Sequence, residues 1–136
     1  MGAKTNGIPK DTAYGIPKVT VYGIPNCDQV KKARAWLGAN NVDYTFHDFK
    51  KQGLSGELAA HWLKEVGAGR LINRKGTTWR TLDESRKALV DNGSGTEADK
   101  IKLMLDYPSI IKRPVLDIGG TITVGFNPDQ YKQLFP

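Results

Sequence analysis

The chain has 136 residues, 39% hydrophobic and 25% charged, enough for one soluble domain with a core and without need of a second. Its single cysteine excludes an internal disulfide framework and, with only two histidines, the usual zinc spacings, and no run of 18 apolar residues or signal-peptide h-region occurs. The formal net charge of +6 is spread among acids in short basic runs, so a solvated surface in a reducing cytoplasm is expected, with neither nucleic acid nor membrane as partner.

Residues 1–17 carry no apolar period and two Gly-Ile-Pro triplets, and read as an extension that is poorly ordered, lightly docked or an added leader. Val19 to Tyr22 is a β-branched strand, followed by a helix from Cys27 to about Ala39 with Val30, Ala33 and Leu37 on one face. The only cysteine therefore stands at the amino end of a helix. Asn26 is the expected N-cap, with Gln29 completing an approximate capping box. Free N–H groups and the positive dipole end favour an anion there, and Lys31 lies one turn on, so a thiol at Cys27 is expected to ionise more readily than free cysteine. Gly38 and Asn40-Asn41 end the helix, and Val42 to Phe49 alternates as a second strand. Strand, helix and strand make a right-handed parallel crossover, whose strand ends are where such sheets bind ligands.

From Lys50 to Tyr107 the signals are helical. Ser55 caps a helix with Leu58, Trp62, Leu63 and Val66 that closes at Gly67; Thr81 with Glu84, and Thr96 with Asp99, read as capping boxes for two more. Their stripes, including Ile101, Met104 and Leu105, are core, and His61 is a surface helix residue. Between the first two helices, Arg70 and Arg74 fall one helical turn apart in a glycine-flanked basic loop, which by itself reads as solvated. Pro114 heads a strand, Gly119-Gly120 closes a hairpin, and Asn127-Pro128 opens a last short helix with Tyr131 and Leu134.

The stretches Y-G-I-P-N-C-D-Q-V-K-K-A-R, L-I-N-R-K-G, I-I-K-R-P-V and V-G-F-N-P-D-Q-Y, in this order over about residues 18 to 135, resemble the ArsC-related family and within it the YffB-type members. The resemblance implies an α/β, thioredoxin-like domain over 18–136, with a mixed four-stranded sheet and a helical insertion. It also implies a cis peptide before Pro114, which is accessible because the trans preference of X-Pro is only about 0.5 to 1 kcal/mol. In glutaredoxin-linked arsenate reductases of this family the cysteine is the nucleophile, with a basic residue four places on and arginines from the loop and pre-proline motifs around it. Those positions are Cys27, Lys31, Arg74 and Arg113 here, and Asn26, Arg70 and Pro114 are assigned to substrate binding. The family's further arginine after the last strand is missing, since Gly125 or Phe126 stands there.

The activity so implied is that of a glutathione-dependent thiol reductase forming a mixed disulfide at Cys27. No second cysteine can resolve it, so an external thiol must. The cations suit glutathione carboxylates, and extended backbone around Arg113 could pair with a peptide-like ligand. No bound cofactor or metal is expected; glutathione is the cosubstrate, glutaredoxin a partner, and the protein a monomer. Two other readings are arsenate reduction, which the missing arginine disfavours, and a regulator like Spx that binds RNA polymerase. Cys27-Asp28-Gln29-Val30 lacks the Cys-x-x-Cys of the Spx redox switch.

Overall fold

Alternating Val19 and Val21 face the core while Thr20 and Tyr22 face away, so Val19–Gly23 forms strand β1 of the computed structural model, which describes residues 18–136. Helix α1, Asp28–Ala39, follows, then strand β2, Thr45–Asp48, parallel to β1 with Tyr22 opposite His47. Strands β3, Val115–Ile118, and β4, Thr121–Val124, form an antiparallel hairpin on the other side of β1, giving the order β2-β1-β3-β4. Gly119 and Gly120 both have positive φ, 59° and 102°, as the two-residue turn requires. The mixed four-stranded sheet is therefore as expected.

The described chain divides into two units: residues 18–49 with Arg113–Pro136, and the insertion Lys50–Lys112. In the first unit, Ala33 and Leu37 of α1 pack with Val19, Val21, Leu116, Ile118 and with Tyr131 of helix α7, Pro128–Leu134. Each valine, leucine or isoleucine among them contributes roughly 1.5–3 kcal/mol on full burial. Asn127 caps α7, its carbonyl Oδ1 accepting from the N–H groups of Asp129 and Gln130. Asn41 takes the left-handed conformation, φ 58°, that ends α1, whereas Gly38 lies inside the helix.

The insertion contains α2 (Gly56–Val66), α3 (Ala68–Leu71), α4 (Thr77–Thr81), α5 (Glu84–Asp91), α6 (Glu97–Asp106) and a 3-10 turn, Pro108–Ile110. Trp62, Leu71, Met104, Ile110 and Ile111 are its largest fully buried side chains. Ser55 caps α2, and Thr96 with Asp99 forms the full capping box of α6, both as expected.

Several expectations need correction. The second strand is four residues rather than eight, because residues 42–44 and Phe49 lie outside the paired register. Thr81 does not cap α5. Its hydroxyl donates to the Thr78 carbonyl within α4, and Asp83 takes the cap by accepting from the Arg86 N–H at 2.9 Å. On α6 the buried pair is Leu103 and Met104, with Ile101 and Leu105 half-buried. The basic loop is instead α3 and α4 with Leu71, Ile72 and Trp79 buried, so apolar burial overrides its polar composition. His61 is half-buried on α2. The reading of residues 1–17 lies outside the described residues.

Strand β1 and helix α1 approach closely at Gly23, where a Cβ would sit 2.7 Å from Cγ2 of the fully buried Val30. Gly23→Ala is expected to lower stability by about 1–3 kcal/mol through overpacking, read from urea unfolding. A cost below about 0.5 kcal/mol would show that Val30 gives way.

Candidate functional site

The chain leaves β1 through Ile24-Pro25-Asn26-Cys27, a turn closed by the Cys27 N–H donating to the Ile24 carbonyl at 3.2 Å. Pro25 occupies the second position, where its fixed φ fits. Cys27 is extended, φ −89° and ψ 128°, and its carbonyl accepts from the Lys31 N–H at 2.9 Å, the first bond of α1. The N-cap is therefore Cys27 rather than Asn26, which stands exposed one residue outside the helix, and no Asn26–Gln29 box closes it. The turn shifts the start of α1 by one residue and puts sulfur at the cap. A side chain at that position is the one nearest the unbonded N–H groups of the first turn, where negative charge is favoured. Cys27 makes no side-chain cap bond, is half-buried, and carries a free thiol. Lys31 is exposed one turn into α1, and exposed Asp28 adds a screened negative charge beside the cap.

The antiparallel register pairs Tyr22 of β1 with Val115 of β3. The end of β1 that leads to Cys27 thus lies beside the start of β3, and Arg113-Pro114 enters the sheet at that same end. Arg113 is half-buried, Pro114 is buried, and the peptide between them is cis, as the resemblance implies. The Pro114 carbonyl accepts from the Gly125 N–H at 2.8 Å, extending the hairpin ladder. The Pro114 carbonyl is thus spent within the sheet. Where the family's further arginine would stand, Gly125 has φ 81° and Phe126 packs edge-on against Tyr131, with ring centroids 4.8 Å apart. That position is part of the apolar packing and carries no cation.

Of the expected site residues, then, Cys27, Asn26, Arg113 and Pro114 come to one end of the sheet, with Lys31 one turn away. Arg70 and Arg74 belong to the insertion. Arg70 is exposed on α3; Arg74 lies beyond that helix's end at Leu71, so the two do not share a helical turn. Arg74 Nε donates to Asp91 Oδ1 at 2.6 Å, and its guanidinium carbon lies 5.4 Å from the centroid of the Trp79 ring. Asp91 was not visible from the sequence, because it is 17 residues away and no local spacing links it to Arg74. Sequence reading also missed Tyr22 and His47, whose rings meet at 4.9 Å across β1 and β2. Burial, and then the Asp117 carboxylate, push the Tyr22 phenol above its ordinary range. Among the described residues no group of three or more His, Cys, Asp or Glu could hold a metal ion, and no helix is long and apolar enough to cross a membrane.

Comparison with known proteins matches residues 22–134 to the family model of the ArsC family. A solved YffB protein is 48% identical, with a TM-score of 0.77 over 85% of this chain and 96% of its own. A solved arsenate reductase (ArsC) related protein from Brucella melitensis is 49% identical, with a TM-score of 0.66 over 87% of this chain and 94% of its own. An uncharacterized protein of Haemophilus influenzae is 36% identical over 81% of this chain and 92% of its own. At greater distance, the global transcriptional regulator Spx 1 of Bacillus cereus is 28% identical over 82% of each chain. With a family match over most of its length, a thioredoxin-like sheet and the cysteine at its first helix, the chain belongs to the ArsC family.

Proposed function

We propose that the chain is a monothiol reductase that works with glutathione. Cys27, as thiolate, attacks the glutathione sulfur of a mixed disulfide between glutathione and the substrate. The substrate's disulfide bond breaks, and its thiolate leaves and takes a proton from water. A second glutathione thiolate then attacks the glutathione sulfur of the Cys27 adduct, forming oxidised glutathione with Cys27 leaving as thiolate; where a glutaredoxin thiolate attacks instead, the glutathione passes to it as a mixed disulfide that further glutathione reduces. The substrate disulfide is reduced and thiol is oxidised, so electrons balance. The observation that carries this reading is the free, half-buried Cys27 at the N-cap of α1, at the sheet end shared with cis Arg113-Pro114. Lys31, Arg113 and Arg74 supply cations suited to the sulfur and to glutathione carboxylates, and Asn26, Arg70 and Pro114 are proposed to contact the tripeptide. Phe126 in place of a cation favours a peptide disulfide over a compact oxyanion such as arsenate.

Incubation with oxidised glutathione followed by intact-mass and peptide mass spectrometry tests this reading. One glutathione per chain, on Cys27 and removed by reduced glutathione, is the expected result. No adduct would overturn it. Arsenate-dependent consumption of reduced glutathione would then favour an arsenate reductase, and capture of RNA polymerase an Spx-like regulator.

A further inference from the structure

We infer that Asp91 and Trp79 are positioning residues that fix the Arg74 guanidinium as a carboxylate-recognition fork. This deepens the reading of Arg74 as a substrate-binding residue and rests on it. A guanidinium offers its Nε–H on one edge and the Nη groups on the others. In the insertion, Nε is committed to Asp91 Oδ1 at 2.6 Å, and the group lies 5.4 Å from the Trp79 ring. Trp79 is itself buried, 5% exposed, so the ring is a fixed platform. Asp91 is the last residue of α5 and Trp79 lies in α4, so the two contacts come from different helices. Nη1 and Nη2 make no hydrogen bond among the described residues, and the side chain is 35% exposed.

Two contacts on different parts of the guanidinium restrict its rotation while leaving a pair of donors unspent. That is the geometry that matches a carboxylate bidentately, and pre-organisation reduces the entropy lost on binding. An ion pair this exposed, with 43% of the Asp91 side chain accessible, contributes little to stability, so holding the arginine in place is the larger consequence of the contact. Because Asp91 neutralises Arg74, recognition runs through the hydrogen-bonding fork more than through net charge. The ligand chemistry is thus a carboxylate carried by the disulfide substrate.

Two disulfides separate this from a structural role: oxidised glutathione, which carries carboxylates, and bis(2-hydroxyethyl) disulfide, which is neutral. In both reactions the Cys27 thiolate attacks one sulfur, the S–S bond breaks, and the leaving thiolate takes a proton from water. In the full chain, Asp91→Ala is expected to slow reaction with oxidised glutathione about three- to fivefold, near the upper end of what an exposed ion pair can hold in place. Reaction with the neutral disulfide should stay within about twofold, Asp91→Glu should restore most of the loss, and Asp91→Ala should add nothing to Arg74→Ala. Equal slowing with both disulfides, or additive losses in the double variant, would overturn the positioning role alone. A wild-type chain that reacts with neither disulfide would refute the thiol-reductase reading, and this inference with it.

Discussion

Cys27→Ser is expected to abolish both glutathione uptake and disulfide turnover while leaving the fold intact. The sulfur is a reactant rather than an aid to reaction, since the adduct is an S–S bond that a hydroxyl cannot form. No other cysteine exists to take over, so residual uptake should be nil rather than merely reduced. Removing a nucleophile in this way typically costs on the order of 10³-fold or more in turnover. Serine is close to cysteine in shape and is among the best N-caps, its hydroxyl able to accept from the first-turn N–H groups. At a half-buried cap with no existing side-chain cap bond, the substitution should leave the unfolding midpoint unchanged or slightly raised. The paired readout is therefore intact mass after oxidised glutathione and thermal unfolding of the same sample. A glutathione adduct on the serine variant would end the assignment of Cys27 as nucleophile. Loss of fold along with loss of uptake would show that the sulfur is a packing atom first.

The parts of this site that depend on local period were legible in the sequence. Val30, Ala33 and Leu37 are fully buried, the helical stripe the spacing implies, and the cysteine does stand at the helix start. What failed were choices between neighbouring residues of similar chemistry. Asn26 is the better cap by type, yet the Pro25 turn leaves Cys27 extended and so makes it the cap. Thr81 and Asp83 are two residues apart; the hydroxyl turned back on α4, and the carboxylate took the N–H of Arg86. That N–H, with the Ser85 hydroxyl next, holds the exposed Asp83 carboxyl below its ordinary range. Tertiary partners were not legible at all. Nothing near Arg74 in sequence announces Asp91, and Arg34 on α1 lies 4.1 Å from the Phe46 ring centroid while donating to the Tyr44 hydroxyl at 3.2 Å. The cis peptide before Pro114 came from the family resemblance, not from periodicity.

The second large effect is expected at Tyr131, which is fully buried and meets Trp36, Phe126 and Phe135 with ring centroids 4.8 to 6.3 Å away. Truncation to alanine removes the ring that joins α7 to the sheet and should cost about 3–5 kcal/mol, a large share of the stability of a small domain. Tyr131→Phe should behave oppositely. The phenol oxygen is buried and has no hydrogen-bond partner among the described residues, so its removal relieves a desolvated polar group, leaving stability unchanged or raised by up to about 1 kcal/mol. The same burial pushes the Tyr131 phenol above the ordinary value of 10.0. With the folded pKa raised, the native state keeps a proton that the unfolded chain releases. The contribution to stability is complete below about pH 10 and is lost as pH climbs from there through the folded value. Urea unfolding at about pH 7 and again above about pH 10 should therefore show a smaller alkaline loss in Tyr131→Phe than in wild type. Tyr22, raised more by burial than by Asp117, keeps its own share in both proteins. Equal alkaline loss in the two proteins, or a phenylalanine variant destabilised by more than about 1 kcal/mol, would mean that the hydroxyl has a partner in solution.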